Sequence, residues 1–331
     1  MNPLDIPPPP AGYGAFAPSL MTLAAFAYAD ANQIGGLLRD NTPPPASPPG
    51  ATEYATQGRW ALVWGPARSR HNSNQMYVAY NADAPAYAVA VRGTEPSWTV
   101  GGLLQLYEDL EVDETVAWSY PPTPGALIAK GTDVGLKDLL GMADPNTGES
   151  LLEYLTANVS TAPVFVTGHS LGGCLASVLA LYLDYELSQA GVGTAVIPYT
   201  FAGPTAGNQA FADLFDGLTQ FSRYYNTLDA IPFAWADLSG IVGLYEPTVP
   251  CPSLYRDIID HLNKRMTEYL GSDTFYVQPG QPYPLPGTIM PVNHTGLVKG
   301  EKNFDEEIGD QHDHNYYLAL LGAPTVPTSI P

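Results

Sequence analysis

The chain is poor in basic residues, in cysteine and in long apolar runs. Among its 331 residues, 13 Lys and Arg stand against 33 Asp and Glu, which gives a formal net charge of −20. Such a charge repels phosphate backbones, so non-specific nucleic-acid binding is disfavoured. Two cysteines, Cys174 and Cys251, are too few for a disulfide framework. No apolar run reaches the ~20 residues that a membrane-spanning helix needs, so we expect no integral membrane segment.

The N-terminal region lacks the basic residues of a secretory signal. Residues 27–29 read Ala-Tyr-Ala, which resembles a signal-peptidase site, but the first basic residue is Arg39. The apolar pattern continues at helical spacing to Leu38 and predicts a core helix that starts near Ser19. We therefore expect no cleaved signal. The protein is then cytoplasmic, or is secreted by a route that the sequence does not reveal.

Apolar residues make up 45% of the chain, which is enough for the core of one large domain. We therefore predict a single α/β domain over residues 1–331, with a Pro-rich arm at 1–17. From residue 164 onward, strand and helix patterns alternate, which is typical of βαβ units and a mostly parallel sheet. An insertion of loop and helix is predicted over 235–312. The individual predictions are strands at 59–64, 75–80, 86–91, 195–201 and 222–226, helices at 135–141, 149–159, 208–218, 253–270 and 316–321, and a loop at 278–291.

One segment predicts a catalytic nucleophile. An apolar run at 164–167 leads into Gly-His-Ser-Leu-Gly at 168–172, and an apolar stretch of good helix formers follows. This is the pattern of a nucleophile elbow, a tight turn between strand and helix that exposes the serine hydroxyl. Ser170 is the predicted nucleophile, and His169 before it is predicted to be structural. The helix N-terminus would direct N–H groups at the oxyanion of an acyl-transfer reaction.

Five segments in order resemble the class 3 lipases, the fungal-lipase-like branch of the α/β-hydrolases. They read AVAVRGT at 88–94, WSYPPT at 118–123, GHSLGG at 168–173, TFAGPTAGN at 200–208 and NTLDAIP at 226–232. The resemblance covers roughly residues 18–322. It implies the α/β-hydrolase fold, with a central mostly parallel sheet flanked by helices and a lid-like segment after the strand that leads to the oxyanion hole.

The resemblance also implies the rest of the site. Asp229 is the triad acid, and Thr94 and Leu171 form the oxyanion hole. The base is His312, with His314 as the alternate, because the two precede a Tyr-containing segment at spacings found in different branches of the family.

In the segment after Thr94, the apolar Trp98, Leu103 and Leu104 suit the inner face of a lid that binds substrate. Pro96 and the pair Gly101-Gly102 weaken a regular helix there. A packed loop that never opens therefore remains the alternative.

These features predict a serine carboxylic-ester hydrolase that acts on lipid esters through an acyl-enzyme, as a triacylglycerol lipase or esterase. Its partner is a lipid ester, met at a lipid–water interface. The alternatives are a phospholipase A1, a feruloyl-type esterase or, less favoured, a non-catalytic α/β-hydrolase used for binding. The sequence contains no zinc-ligand spacing and no nucleotide-binding loop, so neither a metal nor an organic cofactor is expected. The sequence leaves the oligomeric state open.

Overall fold

The computed structural model describes residues 16–44, 51–70, 74–93, 110–218, 220–272, 274–290 and 303–327. Seven of its strands form one sheet in the order β1-β2-β3-β6-β7-β8-β9. The first three strands are antiparallel, whereas β3, β6, β7, β8 and β9 run parallel to one another. These strands are β1 (Trp60–Arg68), β2 (Gln75–Asn81), β3 (Ala86–Val91), β6 (Val164–His169), β7 (Val196–Phe201), β8 (Ser222–Asn226) and β9 (Gln281–Leu285).

Helices cover both faces of this sheet, as side-chain alternation along β3 illustrates. Val89 and Val91 face a core shared with the helix that follows β6, while Ala88 and Ala90 face a core shared with the first helix. The helices are α1 (Ala17–Phe26), α2 (Ala31–Asp40), α3 (Lys130–Leu140), α4 (Leu151–Asn158), α5 (Leu171–Gln189), α6 (Gln209–Ala212), α7 (Ser253–Leu270), α8 (Phe304–His312) and α9 (His314–Leu320). The predicted mostly parallel sheet flanked by helices is present.

A third core is formed mostly by residues of the predicted insertion, together with neighbouring segments. Two 3-10 helices, Ile231–Phe233 and Leu238–Gly243, pack with α7 around the buried Trp235. Leu110 and Val112, which directly follow the predicted lid segment, are buried in the same core. Two side-chain contacts hold the segment around Val112 against this core. Arg265 forms an ion pair with Asp113, and the Tyr276 hydroxyl donates a 2.6 Å hydrogen bond to the Val112 carbonyl.

Several predictions of local structure were wrong. The predicted loop 278–291 contains β9. Among the described residues β9 is the last strand of the sheet, so Pro282 and Pro284, which lack N–H groups, are tolerated there. A hairpin of β4 (Thr115–Ser119) and β5 (Pro122–Ala129) lies in a stretch for which no strand was predicted.

Helix boundaries also differ from the predictions. The helix predicted from Ser19 is two helices, α1 and α2, and the helix predicted at 208–218 tightens after α6 into a 3-10 helix, Asp213–Gly217. Helix α8 was missed, although Asn303 and Glu306 form a capping box at its start. In the described part of the chain, no helix combines the length and the apolar character needed to span a bilayer.

Candidate active site

Ser170 lies on the turn between β6 and α5, in a backbone conformation that only close packing can maintain. Its φ of 61° and ψ of −135° fall outside the regions that non-glycine residues favour. A Cβ atom at Gly168 would lie 2.2 Å from the carbonyl oxygen of Gly172. A Cβ atom at Gly172 would lie 2.4 Å from the carbonyl oxygen of Val91. Both positions therefore require glycine, as the motif predicts for a nucleophile elbow.

Asp229 and His312 form a buried hydrogen-bonded pair, although 82 residues separate them in the sequence. His312 Nδ1 lies 2.8 Å from Asp229 Oδ2, and the two side chains are 1% and 0% exposed. The other carboxylate oxygen, Oδ1, accepts a 2.9 Å bond from the Ile231 N–H. Asp229 lies three residues after the end of β8, and His312 is the last residue of α8. The carboxylate therefore fixes the orientation of the imidazole.

A tyrosine that sequence reasoning used only as a spacing marker completes this pair. The Tyr317 hydroxyl donates to Asp229 Oδ2 at 2.7 Å and accepts from the Asn226 N–H at 2.9 Å. Burial raises the pKa of Tyr317 well above 10, so its hydroxyl remains a donor at neutral pH. Asp229 Oδ2 thus accepts from two side chains at once, which holds the charged carboxylate in one orientation.

His314, the alternate base, packs against a different aromatic ring, that of Tyr28. It is buried and stacks on Tyr28 with a ring separation of 5.4 Å and an interplanar angle of 8°. The Tyr28 hydroxyl also donates to the backbone carbonyl of His169 and lies 3.1 Å from His169 Nδ1. Tyr28 thus links the turn before Ser170 to the segment that contains both histidines, a role that no motif suggested.

The imidazoles of His169 and His314 are neutral near pH 7, because the pKa of each is lowered. Burial lowers the pKa of His169 well below 6.5, and the positive charges that His312 and His314 could acquire lower it further. Burial also lowers the pKa of His314, against the opposing effect of Asp313. Uncharged rings are compatible with their packing beside the Asp229–His312 pair.

Of the residues predicted for the oxyanion hole and the lid, the structure describes only Leu171. Leu171 is the first residue of α5, where backbone N–H groups have no acceptor within the helix. Thr94, Trp98, Leu103 and Leu104 lie outside the described residues. Within the described ranges, no group of three or more His, Cys, Asp or Glu side chains is placed to hold a metal ion.

The chain is similar to known lipases in sequence and in structure. Residues 89–238 match the family described as Lipase (class 3). The structure is similar to the crystal structure of M37 lipase, with a TM-score of 0.72 and 28% identity over 92% of each chain. A native Rhizomucor miehei lipase propeptide complex is 17% identical over 94% of this chain and 80% of that one, with a TM-score of 0.48. A lipase from Rhizopus microsporus var. chinensis is 20% identical over 69% and 76%, with a TM-score of 0.46.

The family match begins within β3 and includes the Ser170 turn and Asp229. The likeness to M37 lipase extends over almost the whole chain and confirms the predicted α/β-hydrolase class of fold. The predicted resemblance to the class 3 lipases is therefore confirmed over residues 89–238, and this match together with the likeness to M37 lipase supports a lipid-ester hydrolase.

Proposed function

We propose that the protein hydrolyses carboxylic esters of lipids, as a triacylglycerol lipase or esterase, through a triad of Ser170, His312 and Asp229. The observation that carries this proposal is the buried 2.8 Å contact between His312 Nδ1 and Asp229 Oδ2. It supplies a base with an orienting carboxylate to a serine on a strained elbow turn.

The reaction follows from these roles. Ser170 Oγ attacks the ester carbonyl carbon while His312 Nε2 takes the hydroxyl proton. The resulting imidazolium is stabilised by Asp229, and the negative oxygen of the tetrahedral intermediate accepts the Leu171 N–H and a donor from Thr94. Collapse of the intermediate breaks the bond to the alcohol, which leaves with the proton from His312. A water molecule, deprotonated by His312, then attacks the acyl-enzyme. Collapse of this second tetrahedral intermediate breaks the bond between the acyl carbon and Ser170 Oγ, which takes the proton back from His312 as the fatty acid is released.

The surroundings of the two histidines support His312 as the base. His312 is bonded to Asp229, whereas His314 stacks on Tyr28. The position of Leu171 at the N-terminus of α5 supports its role as oxyanion donor, because the helix dipole adds positive potential there.

Hydrolysis of p-nitrophenyl butyrate and of emulsified triolein by single variants tests the proposal. We expect Ser170→Ala and His312→Ala to lose nearly all activity, and Asp229→Asn to lose about 10⁴-fold in kcat, as removal of an orienting carboxylate does elsewhere. His314→Ala should retain most activity if it folds.

Full activity in Ser170→Ala would contradict the proposed nucleophile. Loss of activity in His314→Ala alone would move the base to His314. Preferred hydrolysis of phospholipids or of feruloyl esters over triolein would replace the triacylglycerol substrate with one of the two alternatives.

A further inference from the structure

Gln311, the residue before His312, is fully buried and connects three segments of the chain. Its side-chain nitrogen donates to Glu307 Oε1 at 2.6 Å and to the Thr288 carbonyl at 2.8 Å. Its side-chain oxygen accepts from Asn226 Nδ2 at 2.7 Å. Asn226 Nδ2 donates in addition to the backbone carbonyl of Gln311, again at 2.7 Å. A single amide thus contacts α8, the segment after β9 and the end of β8.

The hydrogen bonds allow only one orientation of each amide. The Glu307 carboxylate and the Thr288 carbonyl accept but do not donate, so Gln311 must present its NH₂ group to them. Asn226 Oδ1 accepts from the Leu228 N–H at 3.0 Å, which leaves the Asn226 NH₂ group for Gln311. With Gln311, Asn226 and Glu307 all 0% exposed, water does not compete for these bonds.

This bridge is continuous with the proposed acid and base. Asn226 bonds Gln311 through its side chain and Tyr317 through its backbone N–H, and Tyr317 bonds Asp229. Gln311 is covalently adjacent to His312. The segment after β9 packs closely against Asn226, because a Cβ atom at Gly287 would lie 2.1 Å from Asn226 Oδ1.

We propose that Gln311 is a positioning residue for the ester hydrolysis. Through its hydrogen bond with Asn226 it fixes the position of the His312 imidazole relative to the Asp229 carboxylate. The inference rests on the proposed triad. The acid and the base lie on separate segments, so their 2.8 Å contact requires the end of α8 to be held against the end of β8. The Gln311–Asn226 bridge holds these two ends together, because Asn226 Nδ2 bonds both the side-chain oxygen and the backbone carbonyl of Gln311. Displacement of a catalytic group by about 1 Å typically costs on the order of 10²-fold in rate.

Kinetics of Gln311→Met, Asn226→Ala and the double variant test the inference. Methionine keeps the length of the side chain but makes none of the three hydrogen bonds. With p-nitrophenyl butyrate, we expect each single variant to lower kcat by roughly 10- to 100-fold, with KM nearly unchanged. The double variant should be no slower than the slower single variant, because both substitutions break the same bridge.

Asn81→Ala is the matched control. Asn81 is a 5% exposed amide at the hairpin between β2 and β3, where its oxygen accepts from the N–H groups of Asp83 and Ala84. We expect it to lower the thermal midpoint as the other variants do but to leave kcat within about twofold. That difference separates positioning from a general loss of stability.

Three results would overturn the inference: an unchanged kcat in folded Gln311→Met, a double variant whose loss is the product of the single losses, or an equal loss in Asn81→Ala. If Gln311→Met does not fold, Asn226→Ala decides by the same measurement. Ser170→Ala is assayed in parallel. Full activity there overturns the proposed function and this inference with it, whereas an inactive Ser170→Ala beside a fully active Gln311→Met overturns the inference alone.

Discussion

The two halves of the candidate site are held in place by different physical means. The nucleophile half, around Ser170, is fixed by backbone atoms that approach so closely that a methyl group at Gly168 or Gly172 would overlap a carbonyl oxygen. The acid–base half, around Asp229 and His312, is fixed by side-chain hydrogen bonds between buried groups. The first half depends on excluded volume and the second on polar pairing, so they should fail in different ways.

The largest expected effect is on the nucleophile half. In Gly168→Ala the added methyl group would meet the Gly172 oxygen at 2.2 Å, and the turn closes only if the backbone shifts. We expect the free energy of unfolding, measured with chemical denaturant, to fall by about 3 kcal/mol. Gly193→Ala is the control, since a Cβ atom there meets nothing within 4 Å. Wild-type stability in Gly168→Ala would show that packing does not fix this turn.

A smaller effect is expected on the acid–base half. Tyr317→Phe removes one oxygen, which leaves the Asn226 N–H without this acceptor and leaves Asp229 Oδ2 with only His312 of its two side-chain partners. We expect a loss of about 1–3 kcal/mol in unfolding free energy and a fall of roughly tenfold in kcat, equivalent to about 1.4 kcal/mol.

Tyr87→Phe is the control for this prediction, because its hydroxyl bonds the Asn158 carbonyl far from the triad in sequence. If both variants lose the same stability but only Tyr317→Phe loses activity, polar pairing maintains the site. Wild-type kcat in Tyr317→Phe would refute that role.

The smallest effect concerns His169, which precedes Ser170 and packs against His312 at a ring separation of 4.7 Å, and so joins the two halves. Burial lowers the pKa of His169 and of His314 in the folded protein. The unfolded chain therefore binds more protons as the pH falls below about 6.5, and stability decreases. Between pH 7 and 6 we expect a loss below about 1 kcal/mol per histidine.

Denaturant unfolding across pH 5 to 7.5 measures this dependence. His314→Gln should flatten the curve, because it removes one histidine whose pKa is lowered in the folded protein. An equal slope in the wild type and His314→Gln would contradict the assignment to His314.

The same contrast explains what the sequence could predict. The elbow is encoded within six neighbouring residues, so the strand β6, the turn and the start of α5 were predicted from a local pattern. The five ordered motifs led to Asp229 by resemblance. Most strands of the main sheet were also predicted, because their apolar alternation is uninterrupted; β9 was missed because its two prolines are typical of a loop.

The acid–base half left no comparable local pattern. The choice between His312 and His314 depends on which ring points to Asp229 at the junction of α8 and α9, and spacing alone could not decide it. The contacts of Tyr28 with His169, of Tyr317 with Asp229 and of Gln311 with Asn226 join residues 85 or more positions apart. Such pairs are set by tertiary packing.

Cys174 lies on α5, three residues after Leu171, and is 2% exposed. Burial raises the pKa of its thiol to about 12, and burial also raises the pKa of Cys251. Thiolates are the reactive form, so the folded protein offers oxidants and alkylating reagents almost nothing to attack. The rate at which a thiol reagent labels Cys174 would therefore report how often α5 separates from the sheet. Cys174 can thus serve as a natural probe of local unfolding next to Ser170.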